Sequence, residues 1–182
     1  LFHLSKSGQA NFTAHWNSQV ITSPSFFIAS GATRQIYIHT EPEGKGSTLG
    51  VQRMAAGQKM TLYLHAEDQF GNTVNLKDKT EVPKWILTND IGVLSSSSDL
   101  NGIVFEAKRN GETSIKVAFD GVSAETKPLQ VRAADSEDWG IFKVGETEQL
   151  NKIILKLGEV AELEAKMIDA FGNQSSYPRF LK

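Results

Sequence analysis

The sequence has 182 residues, 40% of them hydrophobic and 22% charged, with a formal net charge of −2 and no cysteine. Such a length fits one or two domains, and the near-neutral balance removes the electrostatic case for a nucleic-acid partner. Disulfide frameworks and thiolate metal sites are excluded, and no window holds the roughly 18 uninterrupted apolar residues of a membrane span. The chain opens on Leu1 with no leader-like segment, and so reads as a mature protein or an excised section of one. The missing cysteines argue only against a small disulfide-stapled domain; they suit the cytosol and a bacterial exterior equally.

In chain order, the pattern is one of strands. Ala10, Phe12, Ala14 and Trp16 alternate with Asn11, Thr13 and His15, a period of two. Asn17-Ser18 interrupts it, and a second run ends in Phe26-Phe27-Ile28. Further strands are expected near 35–40, 59–67, 81–88, 91–95, 102–107, 112–119 and 122–132, separated by turn signals, which is the signature of a sandwich or barrel. Asp120-Gly121 between alternating runs is a strong hairpin signal, because the primed turns need positive φ. Along the long strand, Met60, Leu62, Leu64 and Ala66 point one way and Thr61, Tyr63 and His65 the other. Met60, Leu62, Leu64, Trp85, Leu87, Ile103, Phe105, Ile115, Val117, Leu129 and Val131 are the expected core. No helix is expected; Leu150–Lys166 mixes Glu, Lys and Leu, but the segment it matches carries Gly57 and clear alternation.

That match is the organising feature. Ala56-Gly57-Gln58 through Asp68-Gln69-Phe70-Gly71-Asn72 returns as Leu157-Gly158-Glu159 through Asp169-Ala170-Phe171-Gly172-Asn173, at one constant offset (158 − 57 and 169 − 68 are both 101). The hairpin also repeats: Gly8 matches Gly111 and Ile28 matches Val131 (111 − 8 and 131 − 28 are both 103). The two offsets differ by a two-residue loop insertion. A period near one hundred residues is the size of one β-sandwich. Residues 1–28 are therefore expected to be the C-terminal strands of a preceding unit, 29–132 a complete unit, and 133–182 the N-terminal part of a following one.

Candidate sites are few. The Asp-x-Phe-Gly-Asn segments are tight turns in which Gly and Asn tolerate positive φ and Asp accepts backbone N–H groups, with the Phe expected to plug the sandwich end. Asp68, Asn72, Asp169 and Asn173 are also weak calcium candidates between successive domains, although one Asp and one Asn per turn is a thin oxygen set. His3, His15, His39 and His65 match no zinc spacing and read as solvated side chains. Ser95-Ser96-Ser97-Ser98-Asp99 is a polar loop without a nucleophile elbow, and Glu41-Pro42-Glu43-Gly44-Lys45-Gly46 lacks phosphate-loop spacing. Trp85 reads as core, and Trp16 and Trp139 as core or interdomain contacts; the three would stack sugars only if exposed together. No catalytic constellation and no cofactor site is found.

The run Ala56-Gly57-Gln58, Leu62-Tyr63, Asp68-Gln69-Phe70-Gly71-Asn72, then Trp85-x-Leu87, Gly102-x-x-x-Phe105 and Gly111-Glu112-Thr113-Ser114-Ile115 resembles bacterial Ig-like repeats of the invasin/intimin type. The resemblance implies an all-β chain of tandem Ig-like sandwiches, extracellular at a bacterial surface. It implies no enzymatic activity: the chain would be a structural or adhesive segment, a stalk, spacer or lattice strut. Its expected partners are neighbouring Ig-like domains of the same chain and identical chains in a surface assembly. The alternative is an accessory, carbohydrate-binding sandwich module of a secreted enzyme.

Overall fold

The structure, a computed structural model, describes residues 3–99 and 101–175. Residues 176–182, the end of the expected third unit, lie outside the described residues, as do residues 1 and 2 of the first. Strands dominate: β1 (Gly8–Ala10), β2 (Thr13–Trp16), β3 (Gln19–Thr22), β4 (Phe26–Ile28), β5 (Thr33–His39), β6 (Gln52–Ala55), β7 (Lys59–Asp68) and β8 (Lys84–Leu87). They continue as β9 (Gly92–Ser96), β10 (Gly102–Ala107), β11 (Gly111–Thr113), β12 (Ile115–Phe119), β13 (Val122–Glu125), β14 (Leu129–Arg132), β15 (Asp138–Lys143) and β16 (Leu163–Ile168). Among the described residues, helix is confined to two 3-10 turns, Pro42–Gly44 and Leu76–Asp78. No helix among the described residues is long and apolar enough to cross a membrane.

The centre of the chain is an all-β sandwich. One layer runs β5-β7-β10-β9, all antiparallel. Opposite it lie β13-β12-β8 and β11-β14-β6, the last pair parallel. The two expected strands 112–119 and 122–132 each break in two, at Ser114 and at 126–128, and thereby pass from one sheet to the other. Thr126 fixes that crossing: its N–H donates to the Ile115 carbonyl and its Oγ1 accepts from the Ile115 N–H, both at 3.0 Å. β6 had no clear alternation in the sequence and is formed by pairing with β14.

Alternation along the strands builds the core. Leu62, Leu64 and Ala66 of β7 meet Phe105, Ala107, Ile115, Val117, Phe119, Leu129 and Val131 in one buried cluster with Ile36 and Ile38. Met60, Trp85, Leu87 and Ile103 are half-buried at its margin, so Trp85 closes the core's edge and does not fill its centre.

The flanking segments repeat pieces of this design. β1 pairs with β4 and β2 with β3, with the turn at Asn17-Ser18 taking positive φ at both residues, as Asp120-Gly121 does. β15 pairs with β16 as β5 pairs with β7. The apolar faces of these pieces are uncovered. Trp16 is 73% exposed and Trp139 64% exposed, against the expectation of core or contact positions. At the repeat offset of 103 they match Phe119 and Ile36, both in the central core (119 − 16 and 139 − 36). The central pair is covered by an opposing sheet, which the described residues do not supply for either tryptophan.

Truncating Phe105, which is fully buried, is expected to lower the unfolding free energy by about 3–5 kcal/mol. Phe27→Ala, at an exposed position, should change it by no more than about 0.5 kcal/mol. Urea unfolding of the two variants checks both, and Trp85→Ala should fall between them.

Candidate functional site: the Asp-x-Phe-Gly-Asn joints

The residues with the densest polar contacts are the two Asp-x-Phe-Gly-Asn turns. Each follows a long strand, β7 or β16, and the glycine takes positive φ (77° at Gly71, 80° at Gly172), which a glycine adopts without steric cost. In the first turn Asp68 is buried, and its Oδ1 accepts from the N–H of Phe70 (2.8 Å) and of Asn72 (2.9 Å). Its Oδ2 accepts from the Gly31 N–H (2.9 Å), in the connector that leads from β4 to β5. The Asn72 amide donates to both carboxylate oxygens (3.1 and 2.9 Å). The same amide donates to the Ser5 carbonyl (2.9 Å), and Asn72 Oδ1 accepts from the Ser7 N–H (3.0 Å).

The second turn reproduces this arrangement. Asp169 accepts from Phe171 N–H (2.9 Å), Asn173 N–H (2.9 Å) and the connector Ala134 N–H (2.8 Å). Asn173 donates to both Asp169 oxygens and to the Lys108 carbonyl (2.8 Å), and accepts from the Asn110 N–H (2.9 Å). Residues 5 and 7 match 108 and 110 at the repeat offset (108 − 5 and 110 − 7 are both 103), as Gly31 matches Ala134 (134 − 31). The aspartate therefore pins the connector, and the asparagine pins the turn before β1 or β11. The asparagine's hydrogen bonds to that turn are all with backbone atoms, so Ser5-Lys6-Ser7 and Lys108-Arg109-Asn110 serve equally despite different side chains.

A carboxylate offers about four lone-pair directions. At Asp68 and Asp169 these are occupied by N–H donors, so a cation could enter only by displacing them. Among the described residues no three His, Asp or Glu side chains converge as a metal site. The donors hold the Asp68 carboxyl well below the usual carboxylate range: first the Gly31 N–H, then the Asn72 side chain, then the backbone N–H groups of Asn72 and Phe70, together outweighing burial.

The phenylalanines do not plug their own sandwich. Phe171 lies across the glycine turn between β6 and β7, where a Cβ on Gly57 would come within 2.8 Å of its ring. Lys108 Nζ sits 5.0 Å from the Phe171 centroid. Phe70 stands open.

The other sequence candidates fall elsewhere. His39 and His65, expected to be solvated, are covered by the 42–46 loop: His39 Nδ1 is 3.3 Å from the Gly46 carbonyl oxygen, and the two rings meet edge-on at 5.7 Å. His65 Nε2 lies 3.2 Å from Glu67 Oε1. His3 and His15 are exposed. Trp16, Trp85 and Trp139 sit on β2, β8 and β15, strands of three separate sheets. The aspartate's acceptance of backbone N–H groups within its own turn was legible; its hold on the connector and the asparagine's reach to the preceding segment were not, and the recurrence of Asn four residues after Asp was their only trace.

No protein-family model matches this sequence, and no curated protein matches it. Solved structures do. The Escherichia coli adhesin FdeC matches with a TM-score of 0.52 and 17% identity, over 91% of this chain and 52% of that one. Surface layer protein SbsC, domains 4–9, matches with a TM-score of 0.43 and 18% identity, over 93% of this chain and 25% of that one. SbsC domains 5–6 match at 0.42 and 18%, over 78% and 65%. The chain thus spans about half of the FdeC structure and a quarter of the larger SbsC one. What the FdeC likeness establishes is the class: an all-β, Ig-like sandwich fold.

Two outcomes are expected at the joints. Asn173→Ala leaves the Asn110 N–H and the Lys108 carbonyl without their partner and should cost about 1–3 kcal/mol in urea unfolding. The Asp68 contribution has a pH signature. Its folded-state value is depressed, so its stabilisation is complete above the unfolded value of about 3.9 and is lost as pH falls through the lower folded value. Acid titration of stability should show a decline below about pH 4 that is smaller in Asp68→Asn.

Proposed function

We propose that this chain is a non-enzymatic structural or adhesive segment of a bacterial cell-surface or surface-layer protein, built from tandem Ig-like domains divided at 1–28, 29–132 and 133–182. The observation that carries the reading is the joint. The same Asp–Asn clamp occurs twice, each time tying a connector to one sandwich and a backbone turn of the segment before it. Two such turns one repeat apart suit a strut, because reach and stiffness depend on each unit being fixed to the last. Connectors 29–32 and 133–137 are short, and neither is a long Gly/Ser linker of the flexible kind.

The FdeC likeness in fold agrees with this reading, since FdeC is an adhesin, and the SbsC structures are of a surface-layer protein. On this reading the partners are neighbouring domains of the same chain and identical chains in an assembly. The calcium proposal for Asp68, Asn72, Asp169 and Asn173 then needs a rearranged joint, in which the N–H donors have turned away.

Small-angle scattering on a chain of several complete repeats should give an elongated particle whose maximum dimension grows in proportion to repeat number. A near-spherical envelope would remove the strut reading.

A further inference from the structure

The two joints share every clamp hydrogen bond, yet their phenylalanines differ. Phe171 is 38% exposed and rests on Gly57, while Phe70 is 57% exposed with no such seat. Conversely, the turn at Gly158 is built like the turn at Gly57 and, among the described residues, has nothing seated on it. Gly57 has φ 86° and Gly158 φ 88°. Gln58 closes the first turn: its N–H donates to the Ala55 carbonyl (3.1 Å) and its side-chain oxygen accepts from the Ala55 N–H (2.9 Å). Glu159 does the same with Lys156, at 3.0 and 2.9 Å. At Gly57 a Cβ would strike the Phe171 ring, whereas at Gly158 nothing lies within 4 Å.

We infer that Phe70 and the Gly158 turn are the unmated plug and socket of two further joints, each receiving another copy of this repeat unit in line with the chain. Phe70 seats on the glycine turn of the unit that contributes Ser5 and Ser7; the Gly158 turn receives the turn phenylalanine of the unit that follows. The occupied Phe171–Gly57 contact is the interface that both would continue. The inference rests on the tandem-array reading and adds a directional partner surface to it. Its chemistry is specific: an aromatic ring seated against a glycine, a seat that any side chain would fill. The seats differ in one respect. Lys108 stands over Phe171, but its match is Ser5 (108 − 5 is 103), so the matching position of the Phe70 joint carries no cation.

Hydroxyl-radical footprinting reads ring accessibility directly. In the chain as it stands, Phe70 should be modified faster than Phe171. Gly57→Val should raise the Phe171 rate to that of Phe70, and Gly158→Val, which imposes the same backbone strain at an empty socket, should leave both unchanged. An unaltered Phe171 rate in Gly57→Val would overturn the seat. The chain is then lengthened by placing a copy of residues 29–103 before Leu1, which keeps the register because residue 1 matches 104. There, with the added copy's own Phe70 replaced by leucine so that one Phe70 is read, the Phe70 rate should fall to that of Phe171, and valine at the added copy of Gly57 should restore it. A Phe70 rate that stays high in a lengthened chain with an elongated scattering envelope would overturn the plug while leaving the strut reading intact. A compact envelope with Phe70 protected would support the plug and socket and count against the strut alone.

Discussion

A single buried carboxylate governs how one part of this chain sits on the next. Asp68, and Asp169 after it, accepts backbone N–H groups from two segments: the turn that follows it and the connector that precedes its sheet. Burying an ionised carboxylate is costly unless it is fully hydrogen-bonded, so the connector cannot leave without stranding charge. The asparagine four residues on completes the set. One amide, planar and rigid, bridges the carboxylate to a backbone turn of the preceding segment. Connector, turn and neighbouring unit are thereby linked through one side-chain pair.

Recognition through backbone has a consequence if the chain is the tandem array proposed for it. The loop ahead of β1 and the loop ahead of β11 differ in the side chains at the contacting positions, Ser5 and Ser7 against Lys108 and Asn110, yet present the same carbonyl and N–H two residues apart. Sequence can drift there while the joint persists. The side chains of neighbouring positions are then free to tune each joint, as Lys108 over Phe171 does where Ser5 stands in the other copy. The outer sheet face shows the same freedom: His39 and His65 beneath one loop are matched by Phe142 and Lys166, with Lys166 Nζ 5.4 Å from the Phe142 centroid.

The strand alternation, the hairpin turns and the inward residues of β7, β10, β12 and β14 were legible in the sequence, because half-buried strands impose a period of two. The repeat made the second joint readable from the first. Other features depend on partners distant along the chain and left no local mark. β6 exists through its parallel pairing with β14, and the switch of sheets at Ser114 is set by Thr126. His39 and His65 were read as solvated because nothing in their own strands announces the loop above them. Trp16 and Trp139, read as core or interdomain contacts, belong to pieces whose opposing sheets are not among the described residues. At the joint, Asp and Asn were visible as turn formers, but the direction in which the asparagine reaches is a tertiary fact.

The central claim is that the Asp–Asn pair fixes one unit against the next. Electron–electron distance measurement between spin labels at Ser123, in the central sandwich, and Glu162, beyond the second connector, tests it most directly; both positions are exposed. A rigid clamp predicts one narrow distance distribution in the unaltered chain, broadened when Asp169 and Asn173 are both replaced by alanine. A broad distribution in the unaltered chain, unchanged by the double replacement, would contradict the account.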